Sequence, residues 1–489
     1  MRLSDLIEPR DGAAMIGADV AIRGLSADSR RIEPGFLFAA LDGTKARGRD
    51  FIGDALRRGA AALLTGPDVL PPPEAQHLPR VTDSNPRRRL AFMAAHFYRL
   101  QPSVIAAITG TNGKSSVAGL TRQLWALCGK AAGSLGTLGV EAPGVALDLG
   151  HTTPDPVALH AALAELAHRG IDHLALEASS HGLDQHRLDG VHIRAAAFTN
   201  LSRDHFDYHA DADAYFAAKL RLFDTLLPDG GVAVLNADVP QYEALLRICR
   251  ARHQRILSYG AKGEDIRLLS STPTESGQSL ALDVLGARQT IELGLPGAFQ
   301  ALNLIAALGL VLGTGTPLDE ALLALSRVAP VRGRLEAVSG HPRGALVYVD
   351  YAHTPDALET VLRALRPYAR TRLIALFGCG GDRDRGKRPA MGAIARRLAD
   401  RAYVTDDNPR SEDAAAIRRE ILAACPSARE IGDRARAIRC ALAELGPGDV
   451  LLIAGKGHER GQIVGSRTLP FDDAQVARQA IAELSRGAA

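Results

Sequence analysis

Lysine is scarce in this chain. Of its 58 basic residues only 7 are lysines: Lys45, Lys114, Lys130, Lys219, Lys262, Lys387 and Lys456. Arginine serves wherever a generic positive charge suffices, so each lysine asks for a chemical reason. Cysteine is scarce too. Cys128, Cys249, Cys379, Cys425 and Cys440 are scattered, odd in number and without metal-type spacing, which suits a reducing cytoplasm. No apolar run approaches the ~20 residues of a membrane helix, and Asp5 comes too early for a secretory signal. No membrane insertion is expected. Nor is there a large charge of one sign: 23% charged residues balance to +3, which supplies no strong field for nucleic acid or anionic lipid. Repeats and low-complexity tracts are absent.

What is present is length and apolar content. The 489 residues, 46% hydrophobic, amount to about three times the ~150 of a typical domain and predict two to four domains with sizeable cores. Residues 1–88 mix short strand-like runs (36–41 and 60–64) with polar loops and read as a small α/β domain. Pro71-Pro72-Pro73 is a stiff connection, and Asp83-Ser84-Asn85-Pro86 starts an apolar helix reaching Leu100. The boundary is placed near this helix.

Residues 89–330 form the second unit. An apolar strand, 104–108, runs into Gly110-Thr111-Asn112-Gly113-Lys114-Ser115-Ser116 and then a helix to Leu127, the order that binds phosphate. Ile108 stands where the usual loop has its first glycine, and such a string alone also arises as a mere turn; the flanking strand and helix favour phosphate. Ser115 can reach Mg²⁺ and Lys114 can neutralise phosphate. A strand at 174–176 ends at Glu177, a further hard oxygen ligand or else a strand-end cap. Another, 195–199, ends at Asn200 and opens a run, 200–209, crowded with ionisable groups including His205, which is a site or a solvated helix entry. Lys219 follows. An amine there can take up carbon dioxide as a carbamate, an anionic oxygen ligand, for which a guanidinium is poorly suited.

Residues 331–489 read as a βαβ series. Strands at 345–349, 373–377, 402–405 and 450–454 each run into a polar loop, which predicts a parallel sheet with a ligand crevice at its carboxyl edge. In those loops Arg383, Lys387 and Arg410 can bind carboxylates, Arg through a bidentate fork, while Asp407 and Glu459 can hold an ammonium. The set suits a zwitterionic amino acid, with an exposed salt-bridge network as the bland alternative. The fold class is thus α/β in three domains: a small N-terminal domain, a central P-loop ATPase-like domain and a C-terminal Rossmann-like domain. Nucleotide, metal and amino-acid recognition on separate domains suggests an ATP-driven ligation; a regulatory nucleotide-binding module would leave the His205/Lys219 and Arg383/Arg410 groups unexplained.

Eight strings carry a resemblance: GTNGKSS (110–116), EASSHGLDQHR (177–187), FTNLSRDHFDYH (198–209), VRGRLE (331–336), VDYAHTPDAL (349–358), GCGGDRDRGKRPAMG (378–392), DDNPR (406–410) and AGKGHE (454–459). Jointly the chain resembles the Mur ligases of peptidoglycan synthesis over essentially its whole length, and within them those that add the third residue, diaminopimelate. The resemblance implies domains for a UDP moiety, for ATP with Mg²⁺ and for an amino acid, acting in a cytoplasmic monomer on UDP-N-acetylmuramoyl-L-Ala-D-Glu and meso-diaminopimelate. By matching position, Ser29 and Thr44-Lys45-Ala46 contact the uridine nucleotide, and Thr152, Thr153, Ser179, Gln185 and Arg187 hold the muramoyl dipeptide. Lys219 matches the carbamylated lysine, and Glu177 and His205 match metal-site residues. Asn303, Arg334 and Asp350 are implied nucleotide contacts. Arg383, Asp407, Asn408, Pro409, Arg410, Gly455 and Glu459 match the diaminopimelate site. Two positions depart: Ala27 stands where a larger apolar residue is usual, and His151 where Asn is. L-lysine is the alternative acceptor, discriminated by the charge at position 410.

Overall fold

The computed structural model describes all residues except 8–12, 44–45, 148, 203, 207, 276 and 488–489, so the implied contacts of Thr44 and Lys45 lie outside the described residues. Three sheets follow one another along the chain. The first has five strands in the order Ala14–Ile16, Arg80–Thr82, Ala62–Thr65, Phe36–Ala39, Gly24–Ser26, parallel except where Ala14–Ile16 pairs with Arg80–Thr82. Asn85 caps the helix Pro86–Tyr98 by accepting from the Arg88 amide, with proline in the first turn where its missing N–H is not needed. Leu90, Met93 and Ala94 of that helix join the first sheet's core, against which Val157 of the helix Pro156–His168 also packs.

The central sheet has eleven strands. At its middle Val104–Thr109 lies between His173–Glu177 and Ile193–Phe198, all parallel. These strands are near-continuous apolar runs because both faces are covered by helices. One face buries Val117, Leu120, Leu124 and Trp125 of the helix Lys114–Leu127 together with the helix Ala298–Gly313; the other receives Leu159 and Leu163. The registers matter most. Glu177 is level with Ile108, and Phe198 with Thr109, so three strands end side by side and their loops share one edge. At the far side an antiparallel extension, Ile266–Pro273, Gln278–Val284 and Ala287–Leu293, continues the sheet. No motif announces it. Its signal is the alternation of buried Leu280, Leu282 and Val284 and the turn Leu285-Gly286, both at positive φ (53° and 87°), the geometry of a tight hairpin.

The C-terminal sheet has six strands, with Leu346–Asp350, Val450–Ala454, Leu373–Phe377 and Arg401–Val404 parallel and adjacent, followed by the hairpin Gly461–Val464 and Arg467–Pro470. Beneath its carboxyl edge Arg434 and Asp473, both fully buried, form a two-pronged pair at 2.7 Å, and Arg434 also donates to the Ala454 carbonyl at 2.9 Å. Among the described residues no helix is long and apolar enough to cross a membrane.

Candidate active site

The glycine loop is held open by its neighbours. Thr199 donates to the Asn112 carbonyl (2.6 Å), Asn200 accepts from the Asn112 amide (2.9 Å), and the Thr111 amide donates to the Asn200 carbonyl (2.8 Å). Gly110 (φ 142°) and Gly113 (φ 89°) take conformations that L side chains rarely adopt, and a β-carbon at Gly113 would come within 2.5 Å of Asn303 Oδ1. Asn303 is thereby placed against the loop from another helix, its amide donating to Gln300 at 3.0 Å.

Two lysines converge on one carbonyl. Lys114 Nζ donates to the Gly110 and Thr111 oxygens at 2.9 and 2.8 Å, and Lys219 Nζ donates to the same Gly110 oxygen at 2.8 Å from above the Tyr215 ring. Neither has a carboxylate within ion-pair distance among the described residues. Burial pushes both amines below the ordinary lysine value, Lys219 well below, with the charge of Lys114 adding to its burial. Glu177, almost fully buried, accepts from the amide (2.8 Å) and hydroxyl (3.1 Å) of Thr137, whose hydroxyl also meets that of Thr152 at 2.9 Å. Thr137 is a site residue that sequence reasoning missed; it stands in a turn with no motif of its own, where Gly136 permits the close approach of Glu177.

A cleft of about 490 Å³ joins these groups, lined by the glycine loop, Glu177, His205 and Lys219 and by Arg334, Asp350 and Tyr351 of the C-terminal domain. Arg334 spans the gap. It donates to Ser115 Oγ at 2.9 Å, lies over the Tyr351 ring, and meets His458 Nδ1 at 3.5 Å. Asp350 is buried, accepts from the Leu335 and Ala352 amides at 2.7 and 2.8 Å, and has its pKa pushed up by burial against the pull of Arg334. Asn112 reaches Asp356 at 3.1 Å. His205, at φ 57°, stands beside Asp204 and edge-on to His181. No group of three or more His, Cys, Asp or Glu that could hold a metal occurs among the described residues.

Beside the cleft, Thr153 donates to the Glu177 carbonyl (2.8 Å) and accepts from the Ser179 amide (3.0 Å), while Arg187 donates to the Thr153 carbonyl (2.6 Å) and to Gln185 (2.8 Å), so Thr152, Thr153, Ser179, Gln185 and Arg187 form one connected wall. Ser29 is buried in the first domain, Ala46 is exposed there, and neither lines the cleft. Ala27 and His151 are exposed. In the C-terminal loops Asp407, Asn408 and Pro409 are buried, and Arg410 (φ 53°) is anchored by its amide on the Ile463 carbonyl (3.0 Å) and by Nη1 on the Gly381 carbonyl (2.8 Å). Gly455 lies so close to Asp407 that a β-carbon would fall 2.6 Å from Oδ2. Glu459 accepts from Asn408 and Lys456, each at 2.8 Å. Arg383 is exposed with no partner among the described residues, and Lys387 donates to the His353 carbonyl at 3.0 Å.

Three families of sequence match in turn: residues 21–98 the Mur ligase family catalytic domain, 108–311 the Mur ligase middle domain and 333–457 the Mur ligase glutamate ligase domain. A UDP-N-acetylmuramoyl-L-alanyl-D-glutamate–2,6-diaminopimelate ligase of Caulobacter vibrioides is 51% identical over 486 residues, 98% of each chain. The chain belongs to the Mur ligase family. It is accordingly an ATP-dependent ligase with the three-domain architecture of that family. A solved structure of a UDP-N-acetylmuramoyl-L-alanyl-D-glutamate–2,6-diaminopimelate ligase superposes with TM-score 0.69 at 34% identity over 95% of both chains. A folylpolyglutamate synthase of Mycobacterium tuberculosis shares the fold at TM-score 0.64 and 21% identity, covering 81% of this chain and 94% of its own.

Proposed function

We propose that this Mur ligase joins meso-2,6-diaminopimelate to the γ-carboxylate of the D-glutamate in UDP-N-acetylmuramoyl-L-alanyl-D-glutamate, acting as a cytoplasmic monomer whose domains divide at about residues 88 and 330. The observation that carries the reading is the cleft itself: Lys114 donates there to backbone carbonyls and Arg334 to the Ser115 hydroxyl, neither in an ion pair with a carboxylate among the described residues, so an arriving polyphosphate meets two cations, with the Lys219 amine beside them. The choice of acceptor is supported by the name carried by relatives about half identical over nearly the whole chain and by Arg410, which L-lysine would leave without a carboxylate.

The residues fit the phosphates of ATP and a magnesium ion. Gly110 and Gly113 form a cradle that a β-carbon would fill, and the amides at the start of the helix Lys114–Leu127 can face an anion. Mg²⁺ keeps several waters and asks for only one or two protein carboxylates. Ser115, Glu177, His205 and a carbamylated Lys219 would hold it, and bound there it would offset phosphate charge during transfer. Carbamylation requires a neutral amine, and burial lowers the pKa of Lys219 in that direction.

In the reaction, a γ-carboxylate oxygen of the dipeptide attacks the γ-phosphorus, ADP leaves, and an acyl phosphate forms. The acceptor amine then attacks the acyl carbon, expelling inorganic phosphate and releasing a proton. Thr152, Thr153, Ser179, Gln185 and Arg187 hold the dipeptide, Ser29 with residues 44–46 its uridine nucleotide, and Asn303, Arg334 and Asp350 the nucleotide of ATP. Lys114 turns from the Gly110 and Thr111 carbonyls to the phosphates. Arg383, residues 407–410, Gly455 and Glu459 receive diaminopimelate. The docked domains exclude the water that would hydrolyse the acyl phosphate. Phosphate release by the purified chain with UDP-N-acetylmuramoyl-L-Ala-D-Glu tests this: release should depend on diaminopimelate and be far weaker with L-lysine. Release dependent on neither would end the assignment, and preference for lysine would replace the acceptor.

A further inference from the structure

In a chain this sparing of lysine, Lys456 has no task in the proposed reaction, yet it is fully buried. Its ammonium donates to Asn408 Oδ1 at 3.0 Å and to Glu459 Oε2 at 2.8 Å. Asn408 Oδ1 also accepts from the Ile463 amide at 2.9 Å, so two donors fix which end of the Asn408 amide is oxygen. Its Nδ2 must then donate, and it does so to the same Glu459 Oε2 at 2.8 Å. One carboxylate oxygen of Glu459 is thus doubly occupied, whereas Oε1 has no partner among the described residues, on a side chain still 30% exposed. Arg410 spends only Nη1.

Charge completes the pattern. Around Asn408, Arg410 and Lys456 bring two positive charges and Asp407 and Glu459 two negative ones, with Arg383 exposed and Lys387 turned to the His353 carbonyl; Arg434 beneath them is neutralised by Asp473. The sum is zero. The distal end of diaminopimelate, one ammonium and one carboxylate, is also zero, whereas that of lysine is +1.

Building on the acceptor assigned above, we propose that Lys456 is a positioning residue and a determinant of specificity: it presents Glu459 Oε1 to the distal ammonium and balances the crevice to a zwitterion. Removing its charge leaves the crevice at −1, better matched to lysine. Steady-state kinetics of the full-length Lys456→Met enzyme with diaminopimelate, L-lysine and ATP test this. The expected result is a KM for diaminopimelate raised at least about tenfold, a KM for ATP within about twofold, and a diaminopimelate-to-lysine ratio of kcat/KM lowered at least about tenfold. Equal losses for both amino acids, or an equal loss for ATP, would overturn the proposal. Should Lys456→Met fail to fold, Glu459→Gln moves the crevice to +1 and should shift the same ratio upward; an unchanged ratio overturns the idea. Wild-type enzyme run in parallel separates the failures, because no diaminopimelate-dependent release there defeats the acceptor assignment, whereas normal release with an unchanged variant ratio defeats only the role of Lys456.

Discussion

The central and C-terminal domains treat their buried cations in opposite ways. At the centre, Lys114 and Lys219 crowd onto the Gly110 carbonyl with no carboxylate in ion-pair reach among the described residues. In the C-terminal domain Lys456 is paired with Glu459 at 2.8 Å and Arg434 with Asp473 at 2.7 Å. A buried cation without a counter-ion disfavours the free protein, since desolvation outweighs what a neutral carbonyl returns. Lys114 so placed belongs where an anion arrives with the substrate, whereas Lys219, pushed towards its neutral form, is an amine that carbon dioxide can modify. The paired cations instead build a rigid receptor that is already neutral and selects by the placement of charge.

The sharpest way to break that contrast is at Lys219. Lys219→Ala should lower turnover by about 10²–10³-fold while leaving the thermal midpoint unchanged or higher, and short carboxylates should restore part of the activity; full activity in Lys219→Arg would sink the carbamate. The opposite signature is expected at Arg434. Arg434→Met strands Asp473 in the core and should cost about 3–5 kcal/mol of stability by denaturant titration; a loss comparable to that of Lys219→Ala would erase the distinction. Next in size, Arg410→Ala should raise the KM for diaminopimelate roughly tenfold to a hundredfold with the KM for ATP nearly constant, and equal losses would make Arg410 merely structural.

The smallest effect is one of pH. Lys114 and Lys219 have folded-state pKa values below the 10.5 of an unfolded lysine, so across that window the unfolded chain binds more protons. The contribution of these two groups to ligand-free stability therefore rises with pH from their folded pKa values and levels off above 10.5. Melting curves from neutral to alkaline pH should show a smaller rise in Lys219→Met than in wild type, and identical slopes would mean that Lys219 is not held neutral by its surroundings.

Much of this molecule is written locally. The apolar runs before Gly110, Glu177, Asn200, Gly378 and Gly455 need no partner to be recognised as strands, because burial on both faces demands continuous apolar sequence. Glycine at positions 110 and 113 and lysine at 114 mark a phosphate loop by chain chemistry alone. The scarcity of lysine singles out Lys219 from the sequence alone. The hairpins at 266–293 escaped because their alternation is one-sided and weak, with polar residues on the exposed face.

Tertiary structure alone decided how these pieces meet. Strand register sets Glu177 level with Ile108, and an amide from an unmarked turn, that of Thr137, orients its carboxylate. Long-range packing puts Lys219 on the carbonyl that Lys114 already uses, 109 residues back along the chain, and carries Arg334 of the third domain to Ser115 of the second. Periodicity and turn chemistry act over a few neighbouring residues and can be read in order. Charge, burial and hydrogen-bond saturation depend on which distant groups share a space, and that is a property of the folded chain.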